Sequence, residues 1–143
     1  MTGRERRGRA MALELPPGAA TAEYCYLTTT GRVSGRPHEI EIWFALVGAT
    51  VYLLSEGGEQ ADWVKNLRRM PAVTVRLGDV TYPGVARALD PSEPADALAR
   101  RLICGKYEGW REGDPLPAWA RTALPVAVEL RAPEGNRRPE SSD

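Results

Sequence analysis

The chain has 143 residues, and its 19 basic and 19 acidic side chains cancel. That length fits one domain with a real core, and the cancelled charge removes any global argument for nucleic acid, membrane-surface or polyanion binding. Cys25 and Cys104 fit no metal spacing, and with His38 as the single histidine no protein-built zinc site is expected.

Residues 1–12 carry Arg4, Arg6, Arg7 and Arg9 among glycines. No apolar stretch follows them, so they do not read as a secretory signal. They are expected to form a disordered basic tail, and either Met1 or Met11 serves as a start. No apolar run approaches a membrane span. A cytoplasmic protein with reduced thiols is the simplest expectation. Leu13-Glu14-Leu15-Pro16-Pro17-Gly18 breaks too early to form an amphipathic anchor helix. Residues 13–132 form the predicted ordered domain, and 133–143 a second disordered tail.

The first strand is read over Tyr24–Thr30, rich in β-branched and aromatic residues. A loop with two glycines follows, Gly31-Arg32-Val33-Ser34-Gly35-Arg36-Pro37. Ile40, Ile42 and Phe44 then alternate with Glu39, Glu41 and Trp43, the period of a half-buried strand. A Gly/Ser loop with two arginines between antiparallel strands can cradle a phosphate or carboxylate through backbone N–H groups and guanidinium forks. From residues alone it is equally a charged hairpin loop held in water.

Val47-Gly48-Ala49-Thr50 reads as a turn, and Val51–Ser55 as a mostly buried strand. Glu56-Gly57-Gly58-Glu59 breaks it. A short helix follows, with Asp62 as N-cap, Pro71 just past its end, and Trp63, Leu67 and Met70 on one face. Val73–Leu77 is a fourth strand. Gly78-Asp79 is a tight hairpin, and Val80–Leu89 returns as a fifth, with a bulge or an edge position implied at Pro83-Gly84. A second helix starts near Pro94, places Leu98 and Leu102 at i, i+4, and ends near Gly105. Val126–Leu130 closes the domain. Six short strands and two helices, mainly β with an α+β character, predict a small antiparallel barrel, with an open α+β sheet as the alternative.

Taken together, Thr28-Thr29-Thr30-Gly31-Arg32, Ser34-Gly35-Arg36-Pro37, Ser55-Glu56-Gly57-Gly58, Asp62-Trp63-Val64-Lys65-Asn66-Leu67 and Pro71 resemble the deazaflavin (F420)-dependent nitroreductase family. These are flavin/deazaflavin oxidoreductases of split β-barrel fold. The resemblance runs from about Tyr24 to Leu130. It implies coenzyme F420, with hydride transfer to an electron-poor small molecule such as a quinone, nitro compound or activated alkene. It also implies that the cofactor's anionic tail is held by Arg32, Val33, Ser34, Gly35, Arg36, Pro37 and His38. Ser55, Glu56, Gly57, Gly58, Trp63 and Asn66 complete the implied cofactor site. Ser55 and Tyr107 are the implied substrate-positioning residues, with Trp63, Tyr107 and Trp110 around the acceptor. Members often carry lysine, arginine and lysine where this chain has Val33, His38 and Glu56. That loss of positive charge leaves FMN as an alternative cofactor. A non-catalytic cofactor-, haem- or lipid-binding protein is the alternative outside catalysis. The partners expected are a small-molecule acceptor and a second copy of the chain in a homodimer, with neither nucleic acid nor membrane.

Overall fold

The computed structural model describes residues 13–133; the two predicted tails lie outside the described residues, apart from Pro133. Seven strands form one antiparallel sheet. They are β1 (Cys25–Thr30), β2 (Pro37–Ile42), β3 (Ala45–Val47), β4 (Thr50–Ser55), β5 (Ala72–Leu77), β6 (Val80–Ala88) and β7 (Leu124–Leu130). Helices α1 (Asp62–Arg69), α2 (Pro94–Glu108) and α3 (Ala118–Thr122) accompany them. None of the described helices is long and apolar enough to cross a membrane.

The sheet order is β2-β1-β5-β6-β7-β4-β3, so β2 and β3 are its two edges. Only Trp43 and Phe44 separate them in sequence. Two linking residues span at most about 10 Å, whereas seven flat strands would place the edges roughly 29 Å apart. The sheet therefore curls until its edges nearly meet, which makes a split barrel.

The sequence expectation of six strands differs by one. Ile40–Phe44 and the turn after it hide a break at Trp43-Phe44, beyond which Ala45–Val47 pairs with Thr50–Tyr52 as a strand of its own. The apolar alternation runs through both segments and so does not mark the corner.

Alternation divides the core in two. Leu27, Val51, Leu53, Val75, Tyr82, Val126 and Val128 face the barrel interior, where Phe44 and Leu67 join them. The opposite face of β4 and β7 offers Leu54 and Ala127 to Ala99, Ile103 and Cys104 of α2 and Ala120 of α3. Leu98 and Leu102, at i, i+4 on this helix, are half-buried, and its fully buried face is one residue further round, at Ala99, Ile103 and Cys104. α2 also continues past Gly105 to Glu108, and Gly109 ends it at φ +69°. A left-handed residue at that place is a common helix stop.

Asp62 is the first residue of α1 and not its cap. Ala61 holds the N-cap position, with no side-chain cap bond. Val64, Asn66 and Leu67 form the buried face of α1, while Met70 lies exposed beyond its end. At the other side of the domain, Arg100 grips Asp96 with two nitrogens at 2.9 and 3.1 Å. It also donates to the carbonyls of Ala120, Arg121 and Ala123. A five-residue helix is marginal alone, so this guanidinium ties α3 to α2.

The register of β5 with β6 is continuous through Pro83 and Gly84, with no bulge. Pro83 sits where the β6–β7 ladder stops: its carbonyl accepts from Arg131 N–H at 2.8 Å, so its missing donor falls at the ladder's end. A Cβ on Gly84 would come 2.7 Å from Val128 Cγ1 and 3.0 Å from the Glu129 carbonyl. Gly84→Ala is therefore expected to lower stability by about 1–3 kcal/mol through overpacking; an unchanged urea midpoint would show that β7 gives way freely.

Burial pushes the Cys25 thiol up from 9.0 to about 12. The unfolded chain then ionises this thiol while the folded protein keeps it neutral. The stabilisation is full below pH 9 and is lost as pH rises from 9 to about 12. Urea midpoints measured across that range are expected to fall less steeply for Cys25→Ala than for the wild type.

Candidate functional site

The β1–β2 loop is closed by its own backbone. Gly31 N–H donates to Arg36 at 2.8 Å, Gly35 N–H donates to Gly31 at 2.9 Å, and Arg36 N–H donates to Ser34 Oγ at 3.1 Å. Gly35 has φ +75°, where only glycine sits without strain. Gly31 is required for a different reason. A Cβ there would stand 2.6 Å from Ser34 Oγ and 2.7 Å from His38 Nε2. The loop thus folds Ser34 and His38 onto a bare backbone.

One buried amide anchors the loop to α1. Asn66 Oδ1 accepts from Arg32 N–H at 3.1 Å and from its guanidinium at 2.8 Å. Asn66 Nδ2 donates to Thr29 Oγ1 at 3.2 Å. Asp62 holds the far side of the same guanidinium, at 3.2 Å. Arg32 is therefore engaged internally. Arg36 is exposed and has no ion-pair partner among the described residues, and the N–H groups of Val33 and Ser34 donate to no described protein acceptor. Adjacent free N–H groups beside an unpaired guanidinium suit an anionic oxygen.

A cavity of about 510 Å³ opens beside this loop. Arg32, Val33, Ser34, His38, Trp63 and Asn66, all singled out in the sequence, line it together with Gly31, Glu39, Ile40 and Asp62. Gly35, Arg36 and Pro37 lie in the same loop without lining it. Ser55 is buried at the end of β4 and donates to the Gly58 carbonyl at 3.0 Å. Its hydroxyl fixes the Gly57-Gly58 turn that leads into α1.

The structure sets Tyr107 and Trp110 elsewhere. Tyr107 stacks flat on Trp43, with ring centres 4.2 Å apart and planes 5° from parallel. Its hydroxyl accepts from Phe44 N–H at 3.1 Å and donates to the Glu23 carbonyl at 2.7 Å. Burial raises the Tyr107 pKa. Trp110 donates to the Asp114 carbonyl at 2.7 Å. Both rings pack in the cluster around α2 and line neither the loop cavity nor its neighbour. Tyr107 is held there by its stack on Trp43 and by its hydroxyl bonds to the Phe44 and Glu23 backbone.

That neighbour is a cleft of about 290 Å³, formed by Tyr24, Glu41, Ile42, Trp43, Leu54, Glu56, Ile103 and Trp119. Of these, the sequence singled out Glu56 as a cofactor-side residue. The rest come from separate elements, and no local sequence signal joins them. The two cavities meet along β2: Glu39 and Ile40 line one, Glu41 and Ile42 the other. No group of three or more potential metal ligands occurs among the described residues.

Residues 4–131 match the model of a family described as F420H(2)-dependent quinone reductase. No curated protein matches the sequence significantly. Among solved structures, the conserved hypothetical protein Rv2991 from Mycobacterium tuberculosis is 23% identical and has a TM-score of 0.68, over 86% of this chain and 84% of that one. An F420-H2 dependent reductase, FDR-A, is 23% identical with a TM-score of 0.56, over 75% and 94%. The haem storage protein HutZ from Vibrio cholerae is 16% identical with a TM-score of 0.58, over 78% and 82%. At these identities the structural likenesses establish the fold alone.

Asn66→Ala is expected to leave the buried Thr29 hydroxyl and the Arg32 N–H short of a partner. The expected cost is about 1–3 kcal/mol in chemical denaturation. Hydrogen exchange at the Arg32 amide is expected to accelerate, and exchange as slow as wild type would show that the loop holds without this anchor.

Proposed function

The chain belongs to the F420H(2)-dependent quinone reductase family, a family of F420-dependent oxidoreductases, and on that premise we propose that it catalyses hydride transfer from reduced coenzyme F420 to a small electron-poor acceptor such as a quinone, a nitro compound or an activated alkene. One observation carries the reading of the tail site. The Gly31–Arg36 loop presents two unused N–H groups and a free guanidinium beside a cavity walled by α1.

The donor set suits the anionic tail of F420. Val33 and Ser34 offer backbone donors, Arg36 offers charge, and the exposed His38 adds ring nitrogens beside Ser34. Two acidic residues in the cavity wall are already engaged. Asp62 pairs with Arg32 at 3.2 Å, and Glu39 faces Arg76 at 3.9 Å. When bound, the reduced cofactor supplies the hydride.

What this chain's residues contribute is placement. Ile40 and Trp63 give the cavity an apolar wall, which excludes water from a bound ring. Ser55 holds the Gly57-Gly58 turn through its bond to the Gly58 carbonyl, and so sets where α1 and Trp63 begin. Both Ser55 and Tyr107 serve as positioning residues in this reading. Tyr107 supports the face of Trp43 from behind. Holding donor and acceptor in one geometry supplies much of the rate in such a transfer.

Fluorescence titration with oxidised F420, alongside FMN and haem, tests the cofactor. F420 is expected to bind most tightly, with affinity falling as salt rises. Arg36→Ala is expected to weaken F420 binding about tenfold, the loss of one charge-assisted contact of about 1.5 kcal/mol, and to flatten the salt dependence. Unchanged affinity in this variant would remove the loop from the tail site. Steady-state oxidation of reduced F420 with menadione and with a nitroaromatic tests turnover. A bound cofactor with no rate above background for either acceptor would overturn the enzymatic reading in favour of a binding protein.

A further inference from the structure

The cleft at the split of the barrel has a composition unlike the loop cavity beside it. Its walls are aromatic and aliphatic: Trp43, Trp119 and Tyr24 with Ile42, Leu54 and Ile103. Among the described residues, its only charged lining groups are two carboxylates, Glu41 and Glu56. Glu41 accepts the Tyr26 hydroxyl at 2.6 Å, which fixes its position on β2. Glu56 is exposed and has no hydrogen-bond or ion-pair partner among the described residues. Lys106, a cation packed nearby, donates to the Phe44 carbonyl at 3.1 Å and lies 3.7 Å over the Phe44 ring. It does not line the cleft.

The aromatic walls are held in fixed orientations. Trp43 is clamped between Tyr107, stacked on it, and Trp119, which meets it edge-on at 6.0 Å and 67°. A rigid indole wall costs little entropy to present to a ligand. A volume of about 290 Å³ lies at the low end of the ~300–1,000 Å³ range of small-molecule sites. It suits one bicyclic ring system and is too small for a cofactor with a long tail.

We infer that this cleft binds a planar aromatic ring carrying no negative charge, and that Glu41 and Glu56 select against anionic rings and in favour of cationic ones. The inference deepens the proposed function by naming the class of acceptor, and rests on that proposal only for the ligand's role as acceptor. The electron-rich aromatic wall formed by Tyr24, Trp43 and Trp119 attracts electron-poor and cationic rings. The two carboxylates repel an anion, and no described residue lining the cleft offers it a cation. Shared use of β2 places such a ring next to the loop cavity: Ile40 and Ile42 point to the same side of the strand, about 6.7 Å apart.

Binding is tested on the full chain without cofactor, so that the result does not depend on F420 turnover. Isothermal titration compares three bicyclic probes: menadione (neutral), N-methylquinolinium (cation) and 1,2-naphthoquinone-4-sulfonate (anion). The cation and menadione are expected to bind, and the sulfonate at least about tenfold more weakly than menadione, because like charges face each other. Glu56→Gln changes an exposed side chain and is expected to narrow the gap between cation and anion several-fold. Trp119→Leu is expected to weaken both menadione and the cation. Sulfonate binding as tight as menadione, no binding by any probe, or a gap between cation and anion as wide in Glu56→Gln as in the wild type would each overturn the inference. Any of these results leaves the F420 reading intact, while loss of F420 binding leaves this one intact.

Discussion

One buried carboxamide holds the working end of this molecule together. Asn66 lies 4% exposed on α1 and reaches across to Thr29 on β1 and to Arg32 in the loop. An amide has two donors and two acceptor lone pairs, and three of these four positions are taken here. In an apolar interior such a group is costly unless satisfied. Satisfied, it accepts only one relative placement of strand, loop and helix. Because Arg32 is consumed in that contact, the donors that the loop leaves open are those of Arg36 and of bare backbone.

Much of this was legible in the residues. The period-2 patterns of Cys25–Thr30 and Ala72–Leu77 fit two central strands with one side in the barrel, while Leu124–Leu130 is a nearly continuous apolar run because both of its faces are covered. The Gly78 and Gly48 hairpins follow from the need for positive φ at 63° and 61°. The loop between β1 and β2 was visible because glycine, serine and arginine cluster where a strand pair needs only a short turn. Other features were hidden for physical reasons. The break at Trp43-Phe44 leaves no mark, since both flanking strands are apolar on the same beat. The buried face of α2 is hard to read from its residues because it mixes alanine, isoleucine, cysteine and an aspartate paired with Arg100, while its leucines lie to one side. Most of the aromatic cleft went unread because its residues come from β2, β4, α2 and α3, far apart in sequence, and no local spacing records such a meeting.

The distribution of charge explains how the site divides its labour. Donors gather at the loop, where Val33 and Ser34 N–H groups and Arg36 meet solvent. Acceptors gather around the split, where Glu41 and Glu56 stand. A strand of six residues, β2, joins the two regions. Any molecule with an anionic end and a neutral ring is oriented by that polarity before it makes a single close contact.

The two faces of β4 and β7 give the fold a further property. Val51, Leu53, Val126 and Val128 belong to the barrel interior, while Leu54 and Ala127 belong to the layer under α2 and α3. Substitutions on the outer layer reshape the aromatic cleft and leave the interior packing, and with it the loop anchored by Asn66, almost untouched. Such a chain is free to drift in what it accepts while it conserves what it holds. Descendants of a common ancestor are then expected to diverge first in the residues of α2, α3 and the Trp43 corner, and last in the hairpin that begins at Gly31.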